Sequence, residues 1–511
     1  MNGLVAAVVP VALGGTLVAG WSGLTARRGA AFGTFIRGAG VRAPRDGLPG
    51  PPRGARWARR RDLRSLRVDA VRPTPGRLTL GVVPGLVRPL GLAVEAGQSL
   101  IVVGPTQSGK TTCLAVPAIV GWRGPVLAAS VKSDLLRHTL GVRRAQGRVW
   151  CVDPTGSTGM CASEWSPLSG CRDWHRARRV AADLCETAKA DGTTADGEFW
   201  YATAAKLLAP LLFAAAREGR TMDDVVRWVD TQETAQAAEI LEYHGVTEAL
   251  NAARATWSRD DRTRSSVYTT AETVLAPFAH HAAPVTAAVA GEPFEPRHLL
   301  GGPHTVYLCA PAHDQRRLRG FFSALTQQVL AYAFSTATRL GCPLHPPLLV
   351  VLDEAAHIAP LPELDGLAAT CASHGIQLVT VWQDLAQVKG RYGARAPTVL
   401  NNHRAKLFLP GIADPETLEY ASRLVGDEEV SHPSVTRDGR GARSTTSTAG
   451  ARRLLPPEEL RCLPRGSAVL VYGTLPPARL RLFSARAAER ARSGSFRASA
   501  AARAKSSAAS A

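Results

Sequence analysis

The chain has 511 residues, of which 61 are Lys or Arg and 42 are Asp or Glu, so its formal net charge is +19. Hydrophobic residues make up 45% and charged residues 20%, which excludes a wholly disordered chain, and the length predicts roughly two or three folded domains. A charge of this size attracts polyanions, which are either nucleic acid or anionic lipid headgroups. The nine cysteines include no C-x-x-C pair, and this spacing favours reduced thiols over a zinc site.

The N-terminal residues have the composition of a membrane span. Residues 3–24 carry no charge and are rich in Val, Ala and Leu, and a helix of ~20 such residues crosses a bilayer. Arg27 and Arg28 follow, and the positive-inside rule then places the N-terminus outside and the rest of the chain in the cytoplasm. We predict a single-pass transmembrane anchor in the inner (cytoplasmic) membrane at 1–28. A basic juxtamembrane linker, rich in Pro and Gly, is predicted at 29–75, where its charge can rest on anionic lipid.

Strand and helix patterns alternate after the linker. Short apolar strand patterns occur at 77–83, 90–94, 98–103, 126–130 and 149–152. Helical patterns separate the last three of these strands, at 112–120 and 135–145. The alternation of strand and helix indicates a parallel sheet that is covered by helices.

Strand patterns are absent between residues 176 and 290, where helical patterns follow one another. Strands return at 305–309, 348–352, 377–382 and 406–409, with a long helix after the first of them. We therefore predict one α/β domain that is interrupted by an all-α insertion. Further along, the patterns predict a Gly-, Ser-, Thr- and Arg-rich loop at 437–449 and a closing hairpin from 468–472 and 479–483.

The first chemical motif follows the strand at 98–103. Residues 104–111 match the phosphate-loop pattern G-x-x-x-x-G-K-[ST] completely, and they lie between an apolar strand and a helix, as the mechanism requires. Lys110 is expected to reach the β- and γ-phosphates, and Thr111 is expected to coordinate Mg²⁺. The candidate ATP-binding residues are Gly104, Pro105, Thr106, Gln107, Ser108, Gly109, Lys110, Thr111 and Thr112.

The second motif ends the strand pattern at 348–352. Five apolar residues lead directly into Asp353 and Glu354, and ligands of open α/β sheets bind at the carboxyl ends of strands. We expect Asp353 to hold Mg²⁺, and Glu354 to orient and deprotonate the attacking water as a catalytic base. An Asp-Glu pair also caps helices, so the signal is strong only in combination with the phosphate loop.

The two motifs define the predicted architecture. The fold class is α/β, a RecA-like P-loop ATPase domain with a central, mostly parallel sheet, and with an N-terminal transmembrane helix. The predicted segments are 76–175 and 296–484 for the nucleotide-binding domain, 176–295 for the all-α domain and 485–511 for a disordered basic tail.

Two further catalytic candidates come from position alone. Gln383 ends the strand at 377–382, where its amide can contact the γ-phosphate or the attacking water, and a surface glutamine that begins a loop is an equally good interpretation. Arg404 precedes the strand at 406–409, and in a ring of subunits such an arginine can reach a neighbour's phosphate. Arg264 is a poorer second candidate for that role. The chain contains dozens of arginines, which weakens both assignments.

The order of these features resembles that of the TraG/TraD-type coupling proteins of conjugation and type IV secretion. The order is a membrane anchor, a basic linker, a phosphate loop, an all-α insertion, an Asp-Glu strand and a strand that ends in Gln. The resemblance extends over residues 81–483. Local stretches that are similar to the family are Val149-Trp-Cys-Val-Asp153-Pro154, Trp165-Ser-Pro-Leu168, Glu198-Phe-Trp200, Asp353-Glu354-Ala-Ala-His357 and Asn401-Asn402-His403-Arg404.

The resemblance implies a membrane-anchored hexameric ATPase that moves DNA or nucleoprotein through a conjugative or type IV secretion channel. Its implied cofactors are ATP and Mg²⁺. Its implied partners are DNA, single-stranded and bound without sequence preference, and relaxase, relaxosome or channel proteins. The family usually has two membrane helices, and this sequence predicts one.

Three other functions compete with this interpretation, and a fourth is excluded. An FtsK-like DNA translocase normally carries several membrane helices and a C-terminal winged helix, which the simple tail does not match. A secretion ATPase for folded proteins is an alternative of the same neighbouring class. A non-enzymatic scaffold with a vestigial nucleotide site disagrees with the intact Lys110, Thr111, Asp353 and Glu354. An ABC transporter ATPase is excluded, because no Leu-Ser-Gly-Gly-Gln signature precedes Leu348.

Overall fold

A computed structural model describes residues 54–69, 74–84, 90–130, 133–159, 163–189, 194–279, 293–437 and 443–483. These residues belong to one compact unit that begins at Gly54. The predicted anchor at 1–28, most of the linker at 29–75 and the tail at 485–511 lie outside the described residues.

Within the described residues, twelve strands form one large sheet, and two more form a separate hairpin. The strands in chain order are β1 (Arg67–Val68), β2 (Thr79–Val83), β3 (Leu90–Ala93), β4 (Leu100–Val103), β5 (Val126–Ser130), β6 (Val149–Val152), β7 (Thr305–Cys309), β8 (Leu348–Asp353), β9 (Ile376–Trp382), β10 (Ala405–Phe408), β11 (Asp427–Arg437), β12 (Arg443–Arg453), β13 (Ser467–Tyr472) and β14 (Leu475–Leu482). The order in the large sheet is β1-β3-β2-β14-β13-β10-β4-β9-β8-β5-β7-β6.

The large sheet is mixed, which corrects the prediction of a mostly parallel sheet. The strands from β10 to β6 are parallel neighbours, and they carry both nucleotide motifs. The strands from β13 to β1 pair antiparallel. For β13 and β14 the reason is their short connection, because a two-residue turn can join only antiparallel strands. The predicted closing hairpin is therefore present, and it extends the sheet beyond its parallel half.

The central strands are buried on both faces. Every residue of β5, β7, β8 and β9 is buried, as expected for parallel strands that are covered by helices on each side. Because each of these strands is a nearly continuous apolar run, their predicted bounds agree with the structure to within one residue at each end.

The helices cover the sheet and fill the chain between β6 and β7. In chain order they are α1 (Thr111–Gly121, which opens with a π-helical turn), α2 (Ser133–Arg144), α3 (Trp174–Ala188), α4 (Ala195–Arg217), α5 (Met222–Asp230), α6 (Ala235–Tyr243), α7 (Thr247–Trp257), α8 (Asp261–Leu275), α9 (Pro296–Leu299), α10 (Gln315–Leu340), α11 (Leu364–Thr370), α12 (Leu385–Tyr392), α13 (Ala396–Asn402), α14 (Pro415–Val425) and α15 (Pro457–Arg461).

The described residues between β6 and β7 form only helices and connecting turns, from α3 to α9. The side chains of this helical part share one continuous hydrophobic core with one face of the sheet. Its status as a separate all-α domain therefore stays a prediction. Within the described chain, α4 is the one helix that has the length and hydropathy of a membrane span, and the surrounding helices bury two-thirds of it. We interpret α4 as the core helix of this part.

The prediction of a loop at 437–449 is wrong for those of its residues that the structure describes, because they lie in strands. Strands β11 and β12 form an antiparallel hairpin, with register from Asp427 opposite Arg453 to Arg437 opposite Arg443. The Thr-rich run at 444–448 has the β-branched residues that strands favour, but its faces are both polar. The apolar alternation by which strands are usually identified is therefore absent from the sequence.

Candidate nucleotide-binding site

The phosphate loop lies at the carboxyl edge of the parallel strands, between β4 and α1. Gly104 is a position where a side chain does not fit, because a Cβ atom there would lie 2.7 Å from Leu409 Cβ and 2.9 Å from Ser108 Oγ. Gln107 and Gly109 both have left-handed backbones, with φ of 64° and 96°. Alternating backbone conformations of this kind turn successive amide groups toward one centre, which is how such loops bind phosphate.

The ammonium group of Lys110 lies inside this loop. Its side chain is buried, and Nζ donates hydrogen bonds to the carbonyl oxygens of Gly104 at 2.6 Å and of Pro105 at 3.1 Å. The lysine that the motif requires for phosphate binding is therefore held inside the phosphate loop, next to the start of α1.

The two motifs meet through a hydrogen bond between side chains. Thr111 Oγ1 donates to Asp353 Oδ2 at 2.9 Å, and Ser130 Oγ donates to the same oxygen at 3.4 Å. The contact with Ser130 follows from the sheet, because β5 and β8 are parallel neighbours and Ser130 lies opposite Asp353. The sequence interpretation missed Ser130. The signal available was its position at the end of the predicted strand at 126–130.

The second carboxylate oxygen of Asp353 indicates that a cation binds at this position. Asp353 is only 4% exposed, and its Oδ1 atom is buried without a hydrogen-bond partner among the described residues. Burial raises the pKa of this carboxyl group, the neighbouring Glu354 charge adds to the rise, and the Thr111 hydrogen bond opposes it. A buried carboxylate oxygen without a partner is costly, and a bound Mg²⁺ removes that cost.

The oxygen atoms at this site suit a Mg²⁺ ion that is bound partly by the nucleotide, and they do not form a metal site made of protein ligands alone. Within the described part of the chain, no group of three or more His, Cys, Asp or Glu side chains could hold a metal ion. Mg²⁺ at phosphate sites typically uses one or two protein oxygens, with substrate phosphates and water supplying the rest. Thr111 and Asp353 provide such a set beside the phosphate loop.

Glu354 leaves the end of β8 in an unusual backbone conformation. Its φ is 68°, in the left-handed region, which costs a non-glycine residue roughly 1–2 kcal/mol. The carbonyl oxygen of Glu354 accepts a hydrogen bond from the His357 backbone N–H at 2.9 Å, which closes a turn directly after the strand. Strain of this kind is often found at functional sites, where it directs a side chain.

Gln383 lies between the two motifs. Strand β9 pairs with β4 on one side and with β8 on the other, and the Gly104 N–H donates to the Trp382 carbonyl oxygen at 3.0 Å. Gln383 follows Trp382 directly, so it lies at the carboxyl edge of the sheet, between the phosphate loop and Asp353. This position favours the interpretation in which its amide serves the nucleotide site.

Arg404 lies at the opposite edge of the sheet. Strand β10 is parallel to β4, with Ala405 opposite Leu100, so Arg404 precedes the amino ends of both strands. Its guanidinium lies over the Tyr472 ring, 5.4 Å from the centroid, and its Nε atom is 3.9 Å from Glu95 Oε2. The full length of β4 therefore separates Arg404 from the phosphate loop of its own chain. Its role at the site of a neighbouring subunit stays a prediction.

Arg264, the second arginine candidate, forms hydrogen bonds with residues close to it in the sequence. It donates to Asp261 Oδ1 at 2.6 Å and to the carbonyl oxygens of Trp257 and Arg259. These contacts stabilise the first turn of α8.

The sequence matches the family described as type IV secretory system conjugative DNA transfer over residues 67–484, which is most of the chain. The chain belongs to this family. It is similar to the conjugal transfer protein TraG of Escherichia coli, at 26% identity over 466 residues that cover 80% of this chain and 70% of TraG. It is also similar to protein VirD4 of Agrobacterium fabrum, at 26% identity, over 75% of this chain and 58% of VirD4.

Solved structures agree with the fold. The conjugative coupling protein TrwB superimposes on this chain with a TM-score of 0.62 at 20% identity, and the match covers 86% of this chain and 95% of the TrwB chain. TrwB in complex with ADP and Mg²⁺ matches with a TM-score of 0.61. The family member described here therefore has the fold of a coupling protein.

Proposed function

We propose that this protein is a coupling ATPase that uses ATP hydrolysis to move DNA, or DNA with attached protein, through a conjugative type IV secretion channel. The observation that carries the proposal is the contact between Thr111 and Asp353, which joins the phosphate loop to the second motif. Family membership supports the choice of cargo. TrwB, which has the same fold, has been solved with ADP and Mg²⁺ and with a non-hydrolysable ATP analogue.

Each residue of the site has a defined task in this proposal. The backbone of the phosphate loop and the Lys110 ammonium bind the phosphates, while Thr111 and Asp353 hold Mg²⁺. When bound, Mg²⁺ neutralises charge on the phosphate oxygens. Glu354 accepts the proton of the attacking water, and the Gln383 amide orients that water or the γ-phosphate. The phosphate loop, Asp353 and Gln383 all belong to neighbouring strands, so the sheet holds their relative positions.

The assembly and location of the protein are also part of the proposal. An apolar N-terminal stretch at 3–24 anchors it in the inner membrane, with a basic linker and an all-α domain on the cytoplasmic side. The subunits form a hexameric ring around the DNA. The net charge of +19 supports sequence-independent attraction to the phosphate backbone.

The proposal is tested with the full chain purified in detergent. ATP hydrolysis is measured with and without single-stranded DNA, and DNA binding is measured over a range of salt concentrations. We expect hydrolysis that DNA stimulates, no hydrolysis in Lys110→Ala, and DNA binding that weakens steeply as salt rises. A wild-type protein that hydrolyses no ATP in the presence of DNA, or a Lys110→Ala variant as active as wild type, would contradict the assignment.

A further inference from the structure

A glutamine that lies outside both motifs joins the two catalytic segments. Gln387 lies in the first turn of α12, and its backbone N–H donates to Asp384 Oδ1 at 2.9 Å, which caps the helix. Its side chain extends back toward the sheet. The amide oxygen Oε1 accepts a hydrogen bond from the Gln383 backbone N–H at 2.9 Å, and Nε2 lies 3.4 Å from His357 Nε2.

The chemistry of these partners determines the orientation of the amide. A backbone N–H can only donate, so Gln387 must present its oxygen to Gln383. The amide nitrogen then faces the imidazole, and the His357 Nε2 atom must act as the acceptor. The amide oxygen of Gln387 therefore bonds to the Gln383 segment, and its amide nitrogen bonds to the segment that contains Glu354 and His357.

The two segments are those that carry the proposed catalytic groups. Gln383 follows β9 directly. His357 ends the turn that begins at Glu354, because its N–H donates to the Glu354 carbonyl oxygen at 2.9 Å. One side chain thus connects the backbone of Gln383 with the turn of Glu354. Nothing in the phosphate-loop pattern or in the Asp-Glu pair indicates this connection.

We propose that Gln387 is a positioning residue for ATP hydrolysis, which acts by holding the Gln383 segment and the Glu354 turn in one fixed arrangement. The inference rests on the proposed function, because it needs an ATPase whose water is oriented by these two residues. Gln387 itself is bound to protein groups at both ends and has no task in nucleotide binding. Its loss should therefore lower kcat and leave the affinity for nucleotide unchanged.

The test is a double-mutant cycle in the full-length protein with Gln387→Ala, His357→Ala and the double variant. Steady-state kcat and KM for ATP are measured, with the Kd of a fluorescent ADP analogue as a second readout. We expect Gln387→Ala to lower kcat about 10–100-fold, since small misplacements of reacting groups have effects of this size. We expect a smaller loss in His357→Ala, a double variant no slower than Gln387→Ala, and a Kd for the ADP analogue within twofold of wild type.

Two further variants keep the test decisive. Gln387→Met keeps the length of the side chain but loses both the acceptor for the Gln383 N–H and the donor toward His357, so its kcat should fall as far as that of Gln387→Ala. Lys389→Ala is the matched control, because Lys389 lies on the same helix and pairs with Glu416, and it should behave as wild type. If Gln387→Ala does not fold, the Gln387→Met variant decides.

The outcomes separate the inference from the proposed function. An unchanged kcat in Gln387→Ala or Gln387→Met overturns the inference, as does a loss in Gln387→Ala that is matched by equally weakened ADP binding. Losses that multiply in the double variant overturn it too, because the two residues then act independently. A wild-type protein without ATPase activity overturns the proposed function itself, and the wild-type arm reveals that before any variant is compared.

Discussion

The buried guanidinium of Arg143 donates from Nη1 to the Trp122 carbonyl oxygen at 2.7 Å. The same side chain also donates to the carbonyl oxygens of Gly124, Pro303 and His304 and to Thr305 Oγ1. These groups lead into β5 and β7, so one arginine on α2 satisfies the backbone where two neighbouring strands enter the sheet.

We expect Arg143→Lys to lower the free energy of unfolding by about 3 kcal/mol or more. Lysine keeps the charge but cannot supply the fork of donors, so several buried carbonyl groups lose their partners at ~1–3 kcal/mol each. Urea unfolding followed by circular dichroism measures the change. Arg144→Lys is the control at the adjacent, exposed position, where a change within ~0.5 kcal/mol is expected. Equal stability of the two variants would contradict the structural role of Arg143.

Glu354→Gln should bind ATP as wild type does and hydrolyse it about 10²–10⁴-fold more slowly. Glutamine keeps the size of the side chain but cannot accept the proton of the attacking water. Single-turnover hydrolysis and equilibrium ATP binding are measured on the same preparation. If the folded variant no longer binds ATP, Glu354 is a metal-binding or structural residue and the proposed base must be sought elsewhere.

Arg404→Ala should bind ATP normally and lose ~10³–10⁵ in hydrolysis rate if this arginine acts on a neighbouring subunit. Its position at the amino edge of the sheet, far from its own phosphate loop, makes the test specific for action between subunits. Mixing Arg404→Ala with Lys110→Ala should restore activity, because each variant supplies what the other lacks. Full activity of Arg404→Ala alone would remove it from the mechanism. Turnover per subunit that does not change with protein concentration, in a protein that stays monomeric, would remove the ring.

The stability of the protein should decrease in mild acid because of His403. This imidazole is fully buried, with Nδ1 at 2.7 Å from the Val399 carbonyl oxygen and Nε2 at 3.2 Å from Thr380 Oγ1. Burial lowers the pKa of His403 to about 4 from 6.5. The folded state therefore holds the neutral imidazole, while the unfolded chain takes up a proton at about pH 6.5. This contribution to stability is complete above that pH and is lost as pH falls toward 4.

The expected loss from this one group is about 2 kcal/mol between pH 7 and pH 4.5. It is measured by urea unfolding of wild type and of His403→Gln, which retains a donor and an acceptor but does not titrate. The free energy of unfolding of wild type should fall more steeply with acid than that of the variant. Parallel pH profiles for the two proteins would show that His403 titrates alike in the folded and unfolded states.

The positions of the two motifs in the fold can be predicted from the sequence, because each motif is a short run of consecutive residues next to a strand. The pattern at 104–111 contains the loop, the lysine and the start of the helix in eight consecutive residues. Asp353 is equally clear, because it ends a continuous apolar strand. The strands at 126–130, 149–152 and 305–309 are recognisable for the same reason: buried parallel strands are uninterrupted apolar runs.

Features that depend on the order of strands could not be predicted in this way. Ser130 contacts Asp353 only because β5 lies beside β8, and Arg404 is remote from the phosphate loop only because β10 runs parallel to β4. The contacts of Gln387 could not be predicted either, because its side chain turns back from a helix toward the sheet. Neither a hydrophobic pattern nor a short motif contains this information.

The hairpin of β11 and β12 offers a practical consequence for experiments on this protein. Among the residues that the structure describes, its strands pair only with each other, and its base contacts the rest of the chain, for example through Arg453 and Glu419 at 2.8 Å. A two-stranded ribbon by itself is marginally stable at best, and the sequence of these two strands is rich in polar residues. The end farthest from the base, near the Arg437–Arg443 pair, is therefore a place to insert a fluorophore or an epitope tag without disturbing the nucleotide site. A reporter there would show whether the surroundings of this hairpin change when ATP is added.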